Sequence, residues 1–257
     1  MPHQLKRIIA VNIRVAKTGQ PSQLFAQLDP RGGVLAVGVN GVGKTTFLRT
    51  IPLFYGATPQ QILKGSHKGS MITYTLPDLT SAIVFEYERT TAEDLRCTVM
   101  YCRPGEDEPV FHIMRSGFDE KFFLNDSDEF LTREGFKDRA EAMKVYVTPM
   151  LRMHQYRAVI LNERSMTKEG RELRNLALEH SLGPSSLHNL QQIAAAMTTE
   201  KINFNDLKNI VVDRITEDSG VSGSKDASIS HRQNREDLKS WLDARQPRAM
   251  QRSCAKS

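Results

Sequence analysis

The chain has 257 residues, and 39% of them are hydrophobic, which is enough to build a buried core. No stretch reaches the roughly 18 apolar residues of a membrane-spanning helix, and the N-terminus lacks the apolar run of a signal peptide. We therefore predict a cytoplasmic, globular protein with no membrane partner. The net charge of +5 does not by itself indicate a nucleic-acid partner, because four basic residues in residues 244–257 leave only +1 for the rest.

The three cysteines do not form a recognisable framework. Cys97 and Cys102 lie in one strand-like segment at a separation that places their side chains on opposite faces, and Cys254 is isolated near the C-terminus. This spacing predicts neither a disulfide scaffold nor a zinc site.

The N-terminal third reads as strands that lead into a glycine-rich loop. Residues 5–15 and 23–29 are strand-like and flank a turn, which predicts a hairpin. Residues 33–37 form a short apolar run typical of a buried strand, and the loop follows directly. After the loop the spacing is helical until Pro52 disturbs it, with Gly56 as the stop.

The middle of the chain predicts an antiparallel meander. Residues 60–80 read as a polar connection, and short turn-forming stretches separate the segments beyond it, which favours antiparallel neighbours over helical crossovers. The four predicted strands are residues 81–89, 96–103, 110–115 and 121–125.

The C-terminal half is predicted to be mainly helical. One compact apolar run, residues 158–161, reads as a core strand. The predicted helices are residues 132–143, 169–181, 186–197 and 204–217. Turn-rich composition then divides the chain into a lobe over residues 1–217, a linker over 218–230, and a truncated helical segment with a basic tail over 231–257.

Residues 38–45 read GVNGVGKT and match the phosphate-loop pattern G-x-x-x-x-G-K-[ST] at every fixed position. The glycines let successive backbone N–H groups point at phosphate oxygens, and the following helix contributes the positive end of its dipole. Lys44 would reach the β- and γ-phosphates, and the Thr45 hydroxyl would ligate Mg²⁺. The sequence therefore predicts that ATP and Mg²⁺ bind through Gly38, Asn40, Gly41, Gly43, Lys44, Thr45 and Thr46.

Hydrolysis needs, in addition, an acidic residue at the end of an apolar strand, where it organises Mg²⁺ and water. Residues 158–163 imitate this element with Asn162 where the aspartate is expected, and residues 209–214 offer Asp213 within helical spacing. A buried strand and an amphipathic helix are the simpler interpretations of these two segments.

The phosphate loop, the strands that begin at residue 5 and the meander together resemble the N-terminal ATPase lobe of ABC-type DNA-maintenance proteins of the SMC, MukB and SbcC families. Within them, IPLFYG at residues 51–56, YTLPDLTSAIVFEYER at 74–89 and QYRAVI at 155–160 are most similar to the MukB-like subunit of Wadjet-type anti-plasmid systems. The resemblance covers roughly residues 5–215. It implies an α/β P-loop NTPase fold, an ABC/SMC-type head lobe with an antiparallel β-meander and C-terminal helices.

The resemblance also implies a split head. In these families a coiled coil follows the N-terminal lobe, a C-terminal lobe brings the signature and Walker B motifs, a second head completes the ATP site, and DNA is bound by the complete assembly. No LSGGQ-like sequence occurs in this chain. The family glutamine is expected at the end of the strand in residues 155–163, where this chain has Leu161 and Asn162, and Gln155 lies several residues earlier. Lys64 resembles in placement an arginine that contacts DNA or nucleotide in SMC heads.

Three functional hypotheses follow from these features. The first is an ATP-binding lobe of an SMC-like DNA-maintenance or plasmid-defence ATPase that turns over little ATP alone. The second is a self-contained P-loop kinase of small molecules that uses an acid such as Asp213 and has parallel strands after the loop. The third is a truncated product that binds ATP without activity.

Overall fold

The computed structural model describes residues 4–13, 26–29, 48–62, 71–102, 108–163 and 167–187, together with Leu190 and Ala194. The chain divides into two compact units, Met1–Thr198 and Thr199–Ser257, and every described residue belongs to the first. The phosphate loop, Lys64, Asp213 and the predicted linker lie outside the described residues, as does almost all of the two helices predicted after residue 185.

Strands and helices alternate in groups along the described part of the chain. The strands are β1 Gln4–Val11, β2 Ala26–Leu28, β3 Ala82–Glu88, β4 Leu95–Cys102, β5 Pro109–Met114 and β6 Leu151–Arg152. The helices are α1 Ile51–Phe54, α2 Pro59–Ile62, α3 Met71–Thr75, α4 Arg133–Ala142, α5 Met153–Ile160 and α6 Lys168–His180, with a 3-10 helix at Glu120–Phe122.

The six strands form one sheet in the order β2-β1-β3-β4-β5-β6, and every neighbouring pair is antiparallel. The predicted hairpin of β1 with β2 is confirmed, and so are the first three strands of the meander. Alternate side chains of β3, β4 and β5 enter different cores, so a slip by one residue would exchange the two sets of side chains.

Both faces of the central strands are covered. Every residue of β3 and β5 is buried, so alternate side chains enter two separate cores. Cys97 and Cys102 are buried in different cores and form no disulfide with each other, which confirms their predicted placement on opposite faces.

The first core joins the sheet to α1 and α5. Phe54 of α1 packs on Phe85 of β3 with ring centroids 5.4 Å apart, and Tyr156 of α5 stacks on Phe111 of β5 at 4.0 Å. The second core lies under α4 and the 3-10 helix. There, Phe123 stacks on Phe136 at 5.1 Å.

Helix ends follow their local signals. Thr132 and Thr167 accept hydrogen bonds from Gly135 N–H and Gly170 N–H, which begins α4 and α6 as N-caps and confirms both predicted helices. Leu48 is helical, a turn follows, and α1 restarts with Pro52 in its first turn, where the missing N–H costs no helical hydrogen bond.

Three predictions are wrong. Residues 121–125 are not a strand, because the Asp119 carboxylate accepts the Lys121 N–H and caps the 3-10 helix. Residues 60–80 contain α3 and the end of α2. Residues 158–161 form the last turn and C-cap of α5, so the core strand predicted there is absent; a short apolar run alone cannot distinguish a strand from a buried helical face.

No helix among the described residues is long and apolar enough to cross a bilayer.

A buried ion pair between β1 and β3 also binds the turn that follows β5. The Glu86 side chain is fully buried, its Oε2 lies 2.5 Å from Arg7 Nε, and its Oε1 accepts hydrogen bonds from Arg7 Nη2 and from the Phe118 N–H. Burial alone would raise the pKa of Glu86, but the hydrogen bonds from Arg7 and Phe118 outweigh it and hold that pKa below the ordinary 4.5.

We expect Glu86→Gln to lower the free energy of unfolding by about 2–3 kcal/mol at pH 7, because Arg7 loses its buried partner. The Glu86 carboxylate stabilises the fold above the pKa of the unfolded chain, and this contribution disappears as the pH falls through the lower folded pKa. The stabilities of the variant and the wild type should therefore converge as the pH falls below 4.5 and through the lower folded pKa of Glu86. Urea denaturation followed by circular dichroism measures this, and Glu172→Gln on the exposed face of α6 is the control. A stability difference between the two proteins that persists at low pH would contradict the assignment of this stabilisation to the ionised Glu86 carboxylate.

Candidate functional site

The described residues closest in sequence to the phosphate loop begin at Leu48, two residues after Thr46. Helix α1 follows, and Pro52, Leu53 and Phe54 are all buried in the first core. The segment that leaves the loop is therefore held by the sheet through apolar contacts.

Helix α5 holds the C-terminal end of α1. The Tyr156 hydroxyl donates a 2.7 Å hydrogen bond to the carbonyl oxygen of Phe54, and both groups are buried. Carbonyls in the last turn of a helix lack intrahelical partners, so this bond satisfies a group that would otherwise be desolvated at a cost. Burial raises the pKa of Tyr156 well above its ordinary value, which keeps the hydroxyl protonated as a donor.

The turn after α1 passes directly against α5. Gly56 has φ +77°, and a Cβ at this position would lie 2.7 Å from Cγ of Arg157. The Arg157 guanidinium is held in turn by Glu163, with Nε 3.2 Å from Oε1. Gly56 is therefore required both by its backbone conformation and by the closeness of the Arg157 side chain.

Gln155 lies in the first turn of α5, three residues after β6 ends. Its Oε1 accepts the Arg152 N–H at 2.8 Å, and its Nε2 donates to Glu169 Oε1 of α6 at 2.7 Å. Residues 158–161 form no strand, and the strand in this region is β6. Gln155, three residues after β6, is therefore the glutamine that lies after a strand here.

Asn162 occupies a helix end and not a strand end, so the premise for a metal-organising role at this position is wrong. Its φ is +53°, a conformation that asparagine tolerates, and its amide nitrogen donates to the carbonyls of Gly183 and Pro184. The side chain thus ties the end of α5 to the turn after α6.

The remaining residues of the predicted site are not brought together by the described part of the chain. The predicted nucleotide-binding residues from Gly38 to Thr46, the Mg²⁺ ligand Thr45, Lys64 and Asp213 lie outside it. Within it, no group of three or more histidine, cysteine, aspartate or glutamate side chains could hold a metal ion.

Sequence reasoning missed Tyr156 and Arg157 as partners of the α1 segment. The contacts link positions about a hundred residues apart, as the Tyr156–Phe54 bond shows, so no local pattern reports them. The one local signal was a tyrosine on the apolar face of a helix, because a buried tyrosine hydroxyl usually has a hydrogen-bond partner.

A family model described as "Protein of unknown function (DUF3584)" matches residues 21–255 of the chain. No curated protein and no solved structure matches it.

We expect Tyr156→Phe to lower the free energy of unfolding by about 1–2 kcal/mol, because the Phe54 carbonyl stays buried without a donor. Tyr101→Phe is the matched control. Tyr101 is equally buried, but its hydroxyl has no hydrogen-bond partner among the residues described, so its removal should be neutral or stabilising. Urea denaturation of both variants measures the difference. An equal loss of unfolding free energy in both variants would show that the hydrogen bond from the Tyr156 hydroxyl to Phe54 does not stabilise the fold.

Proposed function

The chain belongs to the DUF3584 family of proteins of unknown function, and from that premise we propose that it is the ATP-binding N-terminal lobe of an SMC-like ATPase that acts on DNA. The observation that carries this proposal is the complete phosphate-loop motif at residues 38–45. The buried packing of α1 just after the loop supports it, since a phosphate loop must be held on a rigid support to bind.

The donor set of the loop fits a Mg²⁺-bound triphosphate. Glycines 38, 41 and 43 leave backbone N–H groups free to face phosphate oxygens, Lys44 carries the compensating charge, and Thr45 offers a hard oxygen ligand. Mg²⁺, when bound, neutralises charge on the β- and γ-phosphates. Lys44 and the loop amides would bind the phosphate oxygens, which orients the triphosphate and stabilises its negative charge.

We place Gln155 in the role of the family glutamine. Its position after β6 supports this, and its side chain lies at the start of the helix that contacts the α1 segment. To reach a nucleotide, the amide of Gln155 must release Arg152 N–H and Glu169, both of which lie at the exposed surface where water replaces them at little cost.

The sheet favours this proposal over a self-contained small-molecule kinase. A P-loop kinase is expected to have parallel strands alternating with helices after the loop, whereas β3, β4, β5 and β6 are antiparallel neighbours. An ABC-type lobe accommodates an antiparallel meander at this point of the chain.

The proposed lobe forms half of a composite site. We assign the metal-organising acid to a C-terminal lobe and the signature motif to a second head, so that ATP joins the heads and hydrolysis drives work on DNA. From the resemblance at residues 51–56, 74–89 and 155–160 we propose further that this work is plasmid defence in the cytoplasm by a Wadjet-type system. An inactive ATP-binding product is the remaining alternative.

Titration calorimetry with ATP and Mg²⁺ tests the proposed site. We expect saturable binding by the wild type and at least about tenfold weaker binding by Lys44→Ala, because one charge-assisted contact to the phosphates is lost. Lys137→Ala, an exposed lysine on α4, is the matched control and should bind as the wild type does.

Equal affinity of Lys44→Ala and the wild type would overturn the phosphate-loop assignment. Phosphate release by the same wild-type sample separates the alternatives. Slow release agrees with a half-site, and rapid release by this chain alone would overturn the split-head proposal in favour of a self-contained enzyme.

A further inference from the structure

Three arginines meet at one edge of the sheet, on the face of the first core. Arg89 follows β3, Arg96 lies in β4 near its start, and Arg115 follows β5. Because these strands are antiparallel neighbours, the end of β3, the start of β4 and the end of β5 lie side by side. We call Arg89, Arg96 and Arg115 the arginine cluster.

The positive charge of the arginine cluster exceeds the negative charge that contacts it. Asp94 lies 2.5 Å from Arg96 Nη1 and 3.8 Å from Arg89 Nη1, so one carboxylate serves two guanidinium groups. The Arg115 side chain forms no ion pair with any residue in the described ranges, and it is exposed. Of the three positive charges, two remain uncompensated by these contacts.

His180, the last residue of α6, lies against the arginine cluster. It is fully buried, and neither ring nitrogen has a hydrogen-bond partner among the described residues. Burial, and then the charges of Arg96, Arg89 and Arg115, lower the pKa of His180 to about 4, so its ring is neutral at pH 7. The Nε atoms of Arg89 and Arg96 are also buried without a partner in this part of the chain.

Among the described residues, four side-chain nitrogens near one another thus lack hydrogen-bond partners. The Nε atoms of Arg89 and Arg96 are donors, and of the two ring nitrogens of neutral His180 one is a donor and one an acceptor. A buried donor without an acceptor costs about 1–3 kcal/mol, and native proteins rarely retain such groups without a use for them. A group that brings several acceptor oxygens and negative charge would match both the donors and the excess charge.

The arginine cluster can be reached from solvent. Tyr146, whose ring is parallel to that of His180 with centroids 6.1 Å apart, is 47% exposed, and its carbonyl accepts the Arg115 N–H. Leu178, whose carbonyl accepts a hydrogen bond from Arg89 Nη2, is 62% exposed. Two residues whose backbones contact the arginine cluster are therefore exposed to solvent, as is Arg115 itself.

We propose that the arginine cluster, with His180 behind it, is a binding site for a phosphate group. Arg115 presents a planar guanidinium fork that matches phosphate oxygens bidentately. Arg89, whose Nη atoms contact Asp94 and the Leu178 carbonyl, adds positive charge beside it. Arg96 stays paired with Asp94 and limits the repulsion from that carboxylate. The phosphate comes either from a free phosphate or phosphate ester or from a nucleic-acid backbone. The residues of this site are distinct in sequence from residues 38–46, and the site does not depend on the proposed ATP site.

Phosphate titration followed by NMR tests the proposal in the full chain. All variants carry Lys44→Ala, so that phosphate binding at residues 38–46 contributes less to the measured shifts. We expect saturable shifts of the Arg115 and Tyr146 backbone amide signals, and an apparent Kd for inorganic phosphate raised about tenfold or more by Arg115→Gln. Arg115 is exposed, so this variant should fold, and an unchanged circular dichroism melt verifies it.

Arg171→Gln is the matched control, because it makes the same charge change at an exposed position near the start of α6 and should leave the Kd unchanged. A second titration with a short DNA duplex identifies the source. The same shifts at much lower concentration, with a steep salt dependence, indicate a nucleic-acid backbone, and shifts with inorganic phosphate alone indicate a free phosphate or ester. No shift of these signals with either probe, or equal binding by Arg115→Gln, would overturn the proposal.

Discussion

The burial of both faces of β3, β4 and β5 is the constraint on which the rest of the structure depends. A sheet whose central strands expose almost no residue to water needs a layer of side chains on each side. The second core meets this need with α4 and the 3-10 helix. The first core meets it with α1 and α5, so the segment after the phosphate loop and the helix after β6 must share one face of the sheet.

This shared face explains why the contacts around α1 are specific. Apolar packing brings α1 and α5 together, but the hydrogen bond from Tyr156 to Phe54 and the close approach of Arg157 to Gly56 fix how they meet. Both contacts reach the backbone of the α1 segment, so they define its path. A nucleotide bound at the proposed loop would consequently act on α5 through a packed connection and not through solvent. The arginine cluster lies at an edge of this same face, since Arg96 pairs with Tyr87 of the first core across β3 and β4.

Much of the fold could be predicted from local sequence signals. The β1–β2 hairpin, the strands β3 to β5, the helices α4 and α6 and the stop at Gly56 all followed from periodicity and turn residues. The failures were short segments whose pattern fits two structures. Residues 158–161 are apolar because the end of α5 faces the first core. Within residues 121–125, Phe122 and Phe123 are apolar because they enter the second core from the end of a 3-10 helix. For the site, the phosphate-loop motif is readable as a sequence, whereas the partners of α1 depend on tertiary packing.

Hydrogen–deuterium exchange with and without ATP and Mg²⁺ tests the central claim most directly. One experiment shows both where the nucleotide binds and whether its effect reaches α1 and α5. We predict slower exchange across residues 38–48, extending into α1 and into α5 around Tyr156, with α4 on the opposite core unchanged. Unchanged exchange at residues 38–48 in saturating ATP, or slowing confined to elements of the second core, would contradict it.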